Sequence, residues 1–78
     1  MKNNTLGALN ESISNSKKIK KIILDNFLNK ERKELRLNLV YITYNFISKR
    51  VLIEYYVKDD EYPSIEMSFD ELANFIKE

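Results

Sequence analysis

LRLNLVYITYNFISKRVLIEYYV, residues 35–57, is the stretch that decides the fold. Apolar residues recur there at every second position, the period of a strand with one buried face, and β-branched and aromatic side chains dominate. A turn at Ser48 and Lys49 makes a hairpin in which Val40, Ile42, Tyr44 and Phe46 oppose Val57, Tyr55, Ile53 and Val51. That face is wholly apolar. The other face pairs Tyr41 with Tyr56, Thr43 with Glu54, Asn45 with Leu52 and Ile47 with Arg50, a mixed set able to meet water. A slip of one residue would turn the apolar set toward solvent, so the division between faces is strongly specified. Ser-Lys suits a two-residue turn poorly, because neither residue favours positive φ; a four-residue loop over residues 47–50 keeps the same pairing. Leu35, Leu37 and Leu39 follow the opposite parity from Val40 onward. A bulge near Leu39, or a helix running on to that point, accommodates the change.

Downstream, Asp59-Asp60-Glu61-Tyr62-Pro63 has the composition of a turn, and residues 64–68 alternate with Ile65 and Met67 inward as a third short strand. Ser68-Phe69-Asp70-Glu71 matches a capping box, with Met67 and Leu72 in the two positions of a hydrophobic staple. A final helix therefore starts at Phe69 and buries Leu72, Phe75 and Ile76. Upstream, Ile19, Ile22, Ile23 and Phe27 recur at helical spacing, widened by Leu24 and Leu28, which predicts an amphipathic helix from Lys17 to about Lys33. Ser16 can cap it, but Lys17, Lys18, Lys20 and Lys21 then occupy its positive first turns, where cations are disfavoured by some tenths of a kcal/mol each. Either the helix starts earlier, near Asn10 or Ser12, or a partner uses the lysines. Residues 1–16 form a polar N-terminal segment in which Leu6, Leu9 and Ile13 make one weak stripe; a short helix and disorder fit it equally. The expected fold is a single α+β domain over residues 17–78, in α-β-β-β-α order, with a three-stranded antiparallel sheet packed on helices.

With 78 residues, no cysteine and no histidine, the chain has one core and lacks the residue types of thiolate, imidazole and structural zinc chemistry. Neither enzymatic activity nor a cofactor is expected. The carboxylates Asp59, Asp60 and Glu61 are consecutive in a turn and so converge poorly on one atom, which argues against a metal site as well. MKNNTLGALNES lacks the apolar stretch of a signal peptide, and no run approaches the roughly 18 apolar residues of a spanning helix. A cytoplasmic protein that does not enter membranes is expected. The formal net charge of +1 conceals a dipolar chain: residues 1–50 carry 11 Lys and Arg against 4 Asp and Glu, and residues 51–78 carry 2 against 8. Such asymmetry hints at a charged partner.

Two surfaces are candidates for binding. The acidic turn Asp59, Asp60 and Glu61, topped by Tyr62, and the mixed sheet face with Tyr41, Tyr56 and Glu54 suit a protein partner, since tyrosine is favoured at interfaces and carboxylates steer cationic surfaces. The expected function is a small protein that binds another protein, as inhibitor, immunity protein or adaptor. The alternative is a nucleic-acid-binding regulator using Lys17, Lys18, Lys20 and Lys21, although a solvated helix end explains those lysines without any ligand. A homodimer is compatible with either. The α-β-β-β-α order resembles that of double-stranded-RNA-binding domains over residues 17–78. That family carries a lysine-rich motif at the start of its last helix, where this chain has Ser68, Phe69, Asp70 and Glu71, so the resemblance does not extend to the phosphate contacts.

Overall fold

The alternation in residues 35–57 builds the centre of an antiparallel meander whose one face is covered by three helices. In the computed structural model, which describes residues 4–14 and 16–77, the elements are α1 (Asn4–Ile13), α2 (Lys17–Asn29), β1 (Glu34–Arg36), β2 (Val40–Asn45), β3 (Arg50–Tyr55), β4 (Ile65–Ser68) and α3 (Phe69–Lys77). The strands lie in the order β1-β2-β3-β4. The domain is α+β with helices packed on an antiparallel sheet, but the sheet has four strands rather than three.

The extra strand explains the change of parity. Leu35 pairs with Ile42 and Arg36 with Tyr41, and Leu37 N–H donates to the Val40 carbonyl at 2.8 Å to close a tight hairpin. In such a hairpin odd positions on one strand face even positions on the next, so Leu35 joins Ile42 on the buried side. No bulge is needed, and α2 ends at Asn29, earlier than the expected Lys33. Lys30 stops it in a left-handed conformation at φ 54°. Asn26, itself buried, then accepts from Arg32 N–H at 3.1 Å and donates to the Arg32 carbonyl at 2.9 Å, which steers the chain into β1.

The central hairpin keeps the expected faces but slides by two residues. Val40 pairs with Tyr55, Ile42 with Ile53 and Tyr44 with Val51, while Tyr41 faces Glu54, Thr43 faces Leu52 and Asn45 faces Arg50. Loop chemistry sets this register. Asn45 Oδ1 accepts from the N–H groups of both Ile47 and Ser48 at 3.1 Å, and Lys49 takes positive φ at 57°. The loop is thus residues 46–49, and Phe46 leaves the ladder. Its ring instead stacks on Tyr44 with centroids 5.5 Å apart and meets Phe69 edge-on at 5.9 Å. Val57, left without a ladder partner, is exposed.

Val40, Ile42, Tyr44, Val51 and Ile53 share one buried cluster with Leu9 and Ile13 of α1, Ile23 of α2 and Leu72 and Ile76 of α3. Tyr44 donates its hydroxyl to the Ile23 carbonyl at 3.1 Å, and burial pushes its phenol well above the usual range. At α3 the capping box is complete: Glu71 N–H donates to Ser68 Oγ at 3.0 Å, and Ser68 N–H donates to Glu71 Oε1 at 2.9 Å. In the N-terminal segment, residues 1–3 and 15 lie outside the described residues, and α1 occupies most of the rest. Polar side chains also fasten α1, beside the buried Ala8, Leu9 and Ile13. Ser12 Oγ accepts from Leu39 N–H at 3.3 Å, and the Thr5 hydroxyl donates to the Pro63 carbonyl at 2.6 Å.

Candidate protein-binding groove

Among the described residues the helices pack on the core face, and none covers the second face of the sheet. Register places Arg36, Tyr41 and Glu54 in one row across β1, β2 and β3. Tyr56 follows two residues after Glu54, and its N–H donates to the Leu39 carbonyl at 2.9 Å, which prolongs the β2–β3 ladder past its last pair. Tyr41 and Tyr56 therefore flank Glu54 on the open side, Tyr41 half-buried and Tyr56 exposed.

The chain then turns sharply. Tyr62 N–H donates to the Asp59 carbonyl and Glu61 N–H to Asp59 Oδ1, each at 2.9 Å, so Asp59 organises the acidic turn from within. Helix α1 holds this turn from the other side: besides the Thr5 bond, Asn4 Nδ2 donates to the Glu61 carbonyl at 2.7 Å. Tyr62 is thereby laid flat on Tyr55, with ring centroids 3.8 Å apart and planes 16° from parallel, and Tyr55 meets Tyr56 edge-on at 4.8 Å. Burial in this stack raises the Tyr55 phenol above its ordinary pKa, and the neighbouring Tyr56 and Tyr62 add to the effect.

Between turn and sheet lies an open groove of about 480 Å³ lined by Tyr41, Glu54, Tyr56, Asp59, Asp60 and Tyr62 among others. Six of the seven residues singled out for protein binding meet there. Glu61, the seventh, does not line it and contributes its backbone carbonyl to α1 instead. Tyr55 lines the groove too, although the sequence places it on the core face. Tyr55 does pack against the core, beside α1, but as the last residue of β3 it is only half-buried and also reaches the groove, which alternation cannot express. Three carboxylates on the groove wall stand against one ammonium, Lys58. Among the described residues the two ion pairs are Arg36–Glu34 at 3.1 Å and Arg50–Glu66 at 2.7 Å, so none involves Glu54, Asp59 or Asp60.

The chain matches no model of a known protein family, no curated protein and no solved structure. What the groove can hold follows from its own chemistry: flat aromatic surface for apolar or planar groups, and net negative charge for cations.

The lysine cluster lies elsewhere. Lys17, Lys20 and Lys21 border a second open groove of about 390 Å³ between α2 and α3, together with Lys77, Asp25 and an apolar floor of Leu24 and Ile76. Lys18 does not reach it. Ser16 caps α2, its Oγ accepting from Ile19 N–H at 3.1 Å, so the helix does begin at the lysines and not upstream. The last turn of α3, with its negative carbonyl end, borders the same groove and offsets part of the dipole conflict. Among the described residues no helix is long and apolar enough to cross a membrane.

Proposed function

We propose that this chain is a non-enzymatic cytoplasmic protein that docks another protein in the tyrosine-lined acidic groove, acting as an inhibitor, immunity protein or adaptor. One observation carries the reading: Tyr41 of β2 and Glu54, Tyr56, Asp60 and Tyr62 of β3 and the following turn converge on one concave surface with net negative charge. Interfaces draw their binding energy from a few aromatic anchors surrounded by a polar rim, and Tyr is among the residue types enriched there. The absence of cysteine and histidine from the sequence supports a binding rather than a catalytic role, and the lack of cysteine suits a reducing compartment.

A second reading, nucleic-acid binding, rests on Lys77 joining Lys17, Lys20 and Lys21 around the α2–α3 groove. It is the weaker of the two. Asp25 sits among those lysines, no aromatic ring among the described residues lines the groove for base stacking, and the end of α3 gives the lysines a structural counterpart.

A photo-crosslinking phenylalanine analogue placed at Tyr56, and separately at Lys21 on the lysine groove, tests the choice in the cells that make the protein. Docking in the acidic groove predicts a nuclease-resistant protein adduct from position 56 and none from position 21. An adduct from position 21 alone, or one that nuclease removes, would overturn the proposal; an adduct between two copies of the chain would assign the groove to a homodimer.

A further inference from the structure

The fold already contains one worked instance of how its open face holds a cation. The Arg36 guanidinium lies over the Tyr41 ring, 5.4 Å from its centroid, while Arg36 Nε is 3.1 Å from Glu34 Oε1. Ring and carboxylate thus serve one guanidinium together. Next to that unit, on the same face, Tyr56 and Glu54 repeat the same two components without the third. Tyr56 is 45% exposed, Glu54 is half-buried directly across from Tyr41, and among the described residues no ion pair involves Glu54. Asp59 and Asp60 close the rim, which leaves this end of the groove with net negative charge after Lys58 is counted.

Deepening the docking reading, on which it rests, we infer that the partner presents an arginine side chain whose guanidinium stacks on Tyr56 and pairs with Glu54. A planar, weakly hydrated guanidinium can lie on a ring while donating in its own plane to a carboxylate, and an ammonium cannot do both with the same geometry. Tyr62, fixed against Tyr55, makes the wall on the loop side, and the Asp60 carboxylate steers the cation inward. The occupant is an arginine side chain of another protein, selected by charge and planarity together.

The probe is a short uncharged Gly-Ser peptide carrying one central arginine, titrated into the intact isotope-labelled chain and followed by amide and tyrosine-ring resonances. Its counterparts carry citrulline or lysine at the same place. Saturable shifts are expected at Glu54, Tyr56, Asp59 and Asp60, with the citrulline peptide inert and the lysine peptide weaker. Tyr56→Leu should weaken the arginine peptide about threefold and Glu54→Gln about two- to fivefold, in line with exposed cation–π and ion-pair contributions. Equal binding of citrulline or lysine, shifts scattered over Glu11, Glu31 and Glu66, or unchanged affinity in Tyr56→Leu would each overturn the inference. Failure of the arginine peptide while position 56 still crosslinks a protein sinks the arginine assignment alone; failure of both removes the docking reading with it.

Discussion

Replacing Thr5 by valine should loosen the groove from the far side of the molecule. Thr5 is fully buried, its hydroxyl reaches the Pro63 carbonyl at 2.6 Å, and the two residues are 58 positions apart in sequence. Valine keeps the shape and removes the donor, leaving a part-buried carbonyl with no partner from α1. Such a loss costs about 1–3 kcal/mol, the upper part of which belongs to fully desolvated groups. Because Pro63 is itself exposed, water can replace part of the lost bond and we expect about 1 kcal/mol, which lowers the melting temperature of a domain of this size by roughly 4–8 °C. The local effect should exceed the global one. Amide exchange at Glu61 and Tyr62, beside the released carbonyl, should accelerate more than exchange at Ile42 or Ile53 in the sheet centre. Thr5→Ser retains the donor, so it should lose stability through the missing methyl without that selective acceleration. Urea melts and site-resolved hydrogen exchange measure both. A Thr5→Val variant within about 0.3 kcal/mol of wild type, or one whose loop exchange matches Thr5→Ser, would refute the idea that α1 holds the acidic turn in place.

Tyr44→Ala should cost about 3–5 kcal/mol in denaturant melts, whereas Phe46→Ala should cost only about 2 kcal/mol, because Phe46 sits half-buried in the loop rather than in the ladder; equal costs would favour the register in which both lie on the core face. Tyr44→Phe should cost about 1 kcal/mol through the hydroxyl bond to Ile23. Ser68→Ala should cost about 1 kcal/mol, and less than an additive further loss should follow on adding Glu71→Ala, since the two side chains form one reciprocal motif. The Glu71 carboxyl is held below its ordinary pKa, first by the Ser68 backbone N–H and then by the Ser68 hydroxyl. Its stabilisation is therefore complete above the ordinary value of about 4.3 and lost as pH falls through the lower folded value, so the melting gap between wild type and Glu71→Ala should narrow below about pH 4 and stay constant from pH 6 to 8.

The buried faces of the hairpin were legible because a two-residue slip preserves side-chain parity: Val40, Ile42, Tyr44, Val51, Ile53 and Tyr55 point inward in either register. The register itself was not, because it depends on whether Asn45 spends its side-chain oxygen on two loop N–H groups and whether Lys49 accepts a left-handed backbone. Strand β1 was hidden by the same parity rule that revealed the central hairpin, since a tight turn at Asn38 and Leu39 reverses parity just as a bulge does. The start of α3 was readable because capping is local, within Ser68 to Glu71. Helix α1 was not, because Thr5, Ser12 and Asn4 act on carbonyls and amides that only the tertiary fold brings near. The candidate groove was recoverable as a set of residue types, tyrosines and carboxylates, but its concavity comes from Tyr62 lying on Tyr55. That contact joins a loop to a strand end, and no spacing encodes it.

The claim that the acidic groove is the docking surface is tested most directly by the affinity of two charge-reversed chains for the protein captured at position 56. One carries Glu54→Lys and Asp60→Lys, sparing Asp59 because its carboxylate supports the turn through Glu61 N–H; the other carries Lys17→Glu, Lys20→Glu and Lys21→Glu. Both sets are surface changes outside the buried cluster, so both proteins should remain folded by circular dichroism. Like-charge contact at a complementary interface costs several kcal/mol, so the groove reversal should weaken binding by at least about a hundredfold and the lysine reversal by less than about threefold. The reverse ranking, with the lysine variant crippled and the groove variant binding as tightly as wild type, would contradict the account.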